Sequence, residues 1–135
     1  MKSIRPASGD AALSAFAEEG LIEKRENDRG ETYYHVEAVE DGMRFGAFIG
    51  AQASTIKWIT LRWLDGPCTS KGWDGVSEEA LREEYRLLLD FVKKQAGGPP
   101  ASKRDRQRTW RFKWGHVDVN YEPRDFVVAI FMVFR

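Results

Sequence analysis

The stretch WRFKWGHVDVNYEPRDFVVAIFMVFR, residues 110–135, decides the fold. Its apolar residues keep their alternation across two chain reversals, which predicts three antiparallel strands with one shared core face. We place the first reversal at Trp114-Gly115. The second lies at Glu122-Pro123-Arg124-Asp125, where proline suits the second position of a turn. The predicted core face carries Trp110, Phe112, Val117, Val119, Tyr121, Phe126, Val128 and Ile130.

A second hairpin is indicated by Asp41-Gly42 between two alternating segments. Both residues of such a two-residue turn need positive φ, which Asp and Gly tolerate. The turn pairs Glu40 with Met43, and a third strand follows over Thr55–Leu64. The face opposite the core is then predicted to carry His35, Glu37, Arg44, Phe48, Ile56, Trp58, Thr60 and Arg62.

Helix signals flank these strands. A first helix is predicted over Ala11–Glu19, before Gly20. A second begins after the cap residue Ser77 and ends at Gly97, with a core stripe at helical spacing. That stripe contains Leu81, Tyr85, Leu88 and Val92.

The remaining segments are charged, and we predict that they are irregular. Glu23–Glu31 is expected to be a solvated loop or an exposed hairpin tip, and Ala101–Arg108 a basic linker. The predicted fold is therefore a single α+β domain over residues 1–135. It has two helices packed on about six mainly antiparallel strands, in the order α-βββ-α-βββ.

Composition narrows the function classes. With 21 basic and 21 acidic residues the formal net charge is zero, which disfavours a nucleic-acid binder. Cys68 is the single cysteine, so an internal disulfide is excluded and a reducing compartment fits. The sequence contains no stretch of about 20 apolar residues that would form a membrane helix. We expect a cytoplasmic protein of bacterial type.

The candidate catalytic residues are His116 and Asp118 on the polar face of the closing strands. An Asp can orient a His that acts as a general base. We interpret them instead as part of a solvated face with a cross-strand Arg111–Asp118 pair, because the sequence ties no nucleophile to the site. His35 and His116 alone make a weak metal signal. We therefore expect no enzyme activity, no metal and no cofactor.

The unusual surface features are tryptophans and the last strand. Trp73, in a Gly-rich loop, is the best candidate for an exposed tryptophan, a residue type enriched at interfaces. The last strand also carries a second apolar stripe, Val127, Ala129, Phe131 and Val133, on the face that its neighbour lines with polar residues. We expect the rest of the chain to cover this stripe; a second copy or a partner protein is the alternative. The predicted partner-binding residues are Trp73, Arg111, Lys113, His116, Asp118 and Phe131.

The segment from Trp110 to Asp125, followed by an apolar strand, resembles the closing meander of small bacterial α+β proteins of the immunity type. Such proteins are encoded beside secreted antibacterial toxins and bind them. The resemblance implies a non-enzymatic role in which the chain binds and neutralises a toxin effector. Two alternatives stay open. One is a secretion-type chaperone dimer, whose order of helix, three strands, helix and further strands is similar. The other is a small enzyme using His116.

Overall fold

The computed structural model describes residue 20 and residues 22–52, 55–72 and 76–135. A short 3-10 turn at Thr69–Lys71 precedes the one α-helix of these residues. The helix and the eight described strands are β1 (Glu23–Glu26), β2 (Thr32–Glu40), β3 (Met43–Gln52), β4 (Thr55–Trp63), α1 (Glu78–Ala96), β5 (Ser102–Arg104), β6 (Gln107–Phe112), β7 (Gly115–Glu122) and β8 (Val127–Phe134).

The eight strands form one antiparallel sheet in the order β1-β2-β3-β4-β8-β7-β6-β5. The first four strands follow one another as a meander. Helix α1 then carries the chain to the far edge of the sheet, and the second meander returns from that edge towards the middle. The last strand therefore pairs with β4, which joins the two halves of the chain.

The prediction of two helices on about six strands is wrong. Two charged segments form edge strands: Glu23–Glu26 pairs with β2, and Ser102–Arg104, predicted to be a linker, pairs with β6. Of the two alternatives for Glu23–Glu31, the structure agrees with the exposed hairpin. Both are short and almost wholly charged, so no apolar alternation marks them as strands. The helix predicted over Ala11–Glu19 lies outside the described residues.

The Asp41-Gly42 hairpin is confirmed. Glu40 pairs with Met43, and the two turn residues have φ values of 51° and 75°. Both lie in the left-handed region that this turn requires.

The first reversal of the closing meander lies one residue earlier than predicted. Phe112 pairs with Gly115, so the turn residues are Lys113 and Trp114. Gly115 belongs to β7, where its φ is 150° and a Cβ would lie 1.9 Å from the carbonyl oxygen of Val133. Glycine is needed here because the neighbouring strand approaches closely. The sequence alone does not distinguish such a glycine from one in a turn, so the predicted turn was misplaced by one residue.

A β-bulge interrupts β4. Gly50 pairs with Trp58 and Ala51 with Ile56, which leaves Lys57 as an extra residue. The bulge returns Ile56 to the core face, where it is fully buried. The prediction that placed Ile56 beside Trp58 on the opposite face is therefore wrong, because strict alternation does not reveal a bulge.

Helix α1 packs on one face of the sheet, against β7 and β8. The Ser77 hydroxyl accepts a hydrogen bond of 3.1 Å from the Ala80 N–H, and Gly97 ends the helix with a φ of 80°. The predicted stripe is confirmed as core. Its buried members are Leu81, Tyr85, Leu88 and Val92.

A buried carboxylate ties α1 to the loop that follows β4. Glu84 Oε1 accepts hydrogen bonds from the backbone N–H groups of Cys68 at 3.1 Å and Thr69 at 2.8 Å. Its Oε2 accepts one from the Thr69 hydroxyl at 2.7 Å. A Cβ on Gly66 would lie 2.0 Å from Glu84 Oε1, so glycine leaves the space that this carboxylate occupies.

Candidate functional site

The side of the sheet opposite α1, called here the open face, carries the second apolar stripe. In its middle, Trp58 on β4 lies beside Val133 on β8, and Thr60 lies beside Phe131. Trp58 and Val133 keep 40% and 39% of their surface exposed, although Ala129 in the same stripe is buried. The stripe is therefore covered in part: Ala129 is buried, Val127 and Phe131 are half-buried, and Val133 is the most exposed member.

A groove of about 850 Å³ runs over the β2–β4 part of the open face. Its aromatic lining residues are Tyr33, Phe48 and Trp58. The ring of Phe48 lies 6.2 Å from that of Tyr33 and 4.8 Å from that of His35, measured between centroids. The volume falls within the range of ligand-binding clefts, and the lining combines three aromatic rings with polar and charged side chains.

Glycine at position 50 allows the indole of Trp58 to form the floor of this groove. A Cβ built on Gly50 would lie 2.1 Å from Trp58 Cε2 and 2.2 Å from Nε1. The ring therefore occupies the space directly above the backbone of the neighbouring strand. This position leaves part of the indole open to a ligand.

The groove is positively charged at two points. Arg62 and Lys57 both line it, and neither forms an ion pair with a described residue. The Nε atom of Arg62 is buried and has no hydrogen-bond partner. Arg62 also lines a second cavity of about 270 Å³, together with Cys68 and Phe126.

The predicted residues of β7 form a polar strip beside the apolar centre. The Thr109 hydroxyl donates a hydrogen bond of 2.6 Å to Asp118 Oδ1, and His116 Nε2 lies 3.4 Å from Asp118 Oδ2. The predicted Arg111–Asp118 pair is wrong, because the earlier turn places Arg111 opposite His116. The Thr109 hydroxyl is buried and donates to Asp118, not to His116.

The predicted partner-binding residues are only partly brought together. His116, Asp118 and Phe131 are neighbours, since Asp118 lies directly opposite Phe131. Arg111 is exposed on the same face, and Lys113 lies in the turn at its end. Trp73 lies outside the described residues.

Sequence reasoning missed the groove as a site, although it placed Phe48, Trp58 and Arg62 on the face opposite the core. The missing steps were the bulge at Lys57 and the packing of the Trp58 indole over Gly50, which shape the groove. Sequence reasoning also missed the pairing of β4 with β8, which joins the faces of the two meanders into one surface beside the groove.

Cys68 is buried, and its surroundings do not favour a reactive thiolate. Burial, with the negative charge of Glu84 as the second cause, raises the pKa of the Cys68 thiol above its ordinary value. A reactive cysteine needs the opposite shift. Within the described residues, no three His, Cys, Asp or Glu side chains group in a way that would hold a metal ion.

In the part of the chain that the structure describes, no helix is long and apolar enough to cross a membrane. No protein-family model matches the chain, and neither curated proteins nor solved structures include a significant match to it.

Proposed function

We propose that this protein binds another protein and does not act as an enzyme. Its concrete role would be that of an immunity protein, which masks a cognate toxin effector. The observation that carries the proposal is the half-exposed indole of Trp58 in the middle of an apolar sheet face. Tryptophan is enriched among the residues that dominate binding energy at protein interfaces.

The neighbours of Trp58 support an interface. Phe48, Phe131 and Val133 extend the apolar surface across three strands, and His116 and Asp118 border it on β7. An apolar centre with a polar rim is the usual arrangement of a protein–protein interface.

The two edges of the sheet are poor alternatives for binding. β1 consists of Glu23, Lys24, Arg25 and Glu26, and β5 has three residues, two of them basic. Short, charged edge strands disfavour the addition of a further strand. A partner is therefore expected to dock on the open face and not along an edge.

The alternatives are less well supported. The chaperone hypothesis depended on a first half made of a helix and three strands, whereas that half contributes four strands to a single sheet. The enzyme hypothesis depended on His116, whose neighbour Asp118 accepts its short hydrogen bond from Thr109.

The test is co-expression with the secreted toxin encoded nearest to this gene. We expect the wild-type chain to protect growth and to form a complex by size-exclusion chromatography with light scattering. Trp58→Ala should lose both properties. Val39→Ala is the matched control, because Val39 is an exposed apolar residue, 68% accessible, that does not line the groove. Protection by Trp58→Ala equal to wild type would contradict the proposal that the open face is used.

A further inference from the structure

Arg62 is a residue of the groove whose guanidinium lacks an anionic partner among the described residues. It is half-buried on β4, its Nε atom is buried without a hydrogen-bond partner, and it forms no ion pair with a described residue. A guanidinium is always charged and carries five N–H donors. Burying such a group without an anion is costly, so a ligand that supplies one gains from the pairing.

The carboxylates of the open face are not used to neutralise Arg62. Glu37 lies on β2 beside Gly46, the cross-strand partner of Arg62, yet it is exposed and makes no ion pair with the guanidinium. Glu31 borders the groove and is also exposed. Asp118 is engaged by Thr109 and His116. Asp125 lines the second cavity with Arg62 but makes no ion pair with it, so the positive charge of Arg62 remains available to a partner.

Lys57 and Thr60 extend the same chemistry along the groove. Lys57 lines it near Trp58 and likewise forms no ion pair with a described residue. Thr60 lies between Trp58 and Arg62 on the same face of β4 and offers a hydroxyl. At about 3.3 Å per strand residue, Trp58 and Arg62 are separated by roughly 13 Å. The groove thus places Lys57 beside the Trp58 indole and Arg62 at its other end, over the length of a short extended peptide.

We infer that the groove takes an extended acidic segment of the protein partner, with an Asp or Glu carboxylate on Arg62 and an apolar side chain on the Trp58 indole. The inference depends on the proposed function, since it specifies what the partner presents. The carboxylate supplies the planar pair of acceptors that a guanidinium binds bidentately. The apolar side chain, lying about four residues away in an extended segment, covers the exposed part of the indole.

The test uses a phage-displayed library of random 12-residue peptides, selected on the folded full-length protein. We expect the enriched peptides to carry Asp or Glu within about four residues of an aromatic or large aliphatic residue. Replacing that acidic residue by its amide in a synthetic peptide should weaken binding about tenfold or more, measured by fluorescence polarisation. This comparison needs no protein variant, so it holds even where a substitution disturbs the fold.

Two variants locate the contact. Arg62→Met should weaken binding of the acidic peptide about tenfold and leave its amide counterpart unchanged. Arg82→Met is the matched control, because Arg82 is exposed on α1 in a surface ion pair with Glu78. Circular dichroism checks that both variants are folded.

Three results would overturn the inference: a library that enriches no peptide, enriched peptides without acidic residues, and acidic peptides that bind Arg62→Met as well as wild type. The proposed function fails separately. Growth protection that survives Arg62→Met would leave an immunity role intact without this contact, whereas Arg62-dependent peptide binding without any protection would leave the contact intact and refute the immunity role.

Discussion

The indole of Trp58 occupies the position that a side chain at residue 50 would take, with Cε2 only 2.1 Å from where the Cβ of Gly50 would lie. The ring and the glycine therefore form one unit across β3 and β4. The Trp58 indole can form the floor of the groove because Gly50, on the neighbouring strand, has no side chain.

Gly50→Ala should displace the indole and weaken partner binding, because the new Cβ contacts the body of a ring and not a flexible tip. Gly46→Ala is the matched control on the same face of the same strand, since its nearest neighbour is Leu64 Cδ2 at 3.4 Å. We expect a shift in the tryptophan emission maximum and a loss of about tenfold or more in affinity for Gly50→Ala only. Equal effects of the two variants would contradict the assigned role of Gly50.

Phe131→Asp should fold and lose partner binding. Phe131 is half-buried on the open face, so the change leaves the α1 side of the sheet intact. The new carboxylate lies opposite Asp118, and a like-charge pair across strands is destabilising by a fraction of a kcal/mol to about 1 kcal/mol. Thermal unfolding and light scattering measure both properties. Complete unfolding would instead place Phe131 in the core, and unchanged binding would remove it from the interface.

Glu84→Leu should lower the free energy of unfolding by about 2 kcal/mol or more. Leucine has no acceptor for the hydrogen bonds that the Glu84 carboxylate receives from Cys68 and Thr69. Glu83→Leu is the control, because Glu83 makes a surface ion pair with Arg86 and should change stability by less than about 0.5 kcal/mol. Urea denaturation of the two variants makes the comparison, and similar values would refute a role for Glu84 as the anchor of the loop.

Gly42→Val should destabilise the protein by about 1 kcal/mol or more, because a β-branched residue resists the φ of 75° at this turn position. Gly98→Ala tests the specificity of this effect. Gly98 has no atom within 4 Å of its ideal Cβ and no positive φ, so alanine fits there. An unchanged melting temperature for Gly42→Val would show that the hairpin tolerates a different turn.

Cys68 should resist alkylation in the folded protein at neutral pH. Burial, followed by the charge of Glu84, raises the pKa of its thiol, so the thiolate is scarce. A raised pKa in the folded state stabilises the protein below the unfolded thiol pKa of about 8.5, and this contribution is lost as pH rises through the folded value. Stability of wild type should therefore fall more steeply above about pH 8.5 than that of Cys68→Ser. Rapid native-state labelling at pH 7 would contradict the burial.

The hairpins and α1 were predictable because their signals are local. The dipeptide Asp41-Gly42 is enough to predict the type of turn. The Ser77 cap and the helical spacing of Leu81 and Leu88 likewise predict a helix without any information from the rest of the chain. The edge strands were not predictable, since Glu23–Glu26 is held by pairing with β2 and not by its own alternation.

The candidate site was half predictable. Alternation placed Trp58 and Arg62 on one face of β4, and Phe131 and Val133 on one face of β8. Their meeting depends on the long-range pairing of β4 with β8. The bulge at Lys57 is likewise a property of the paired strands, and a single sequence carries no mark of it.

The pairing of β4 with β8 joins two strands that lie far apart in the sequence. Trp58 lies before α1 in the chain and Val133 near its end, so contact between them needs the closure of a long loop, which is slow. The apolar surface of each meander is narrow until that closure. The wide recognition surface is therefore complete only when the last strand has docked, whereas the groove at its side is lined by residues of the first meander alone.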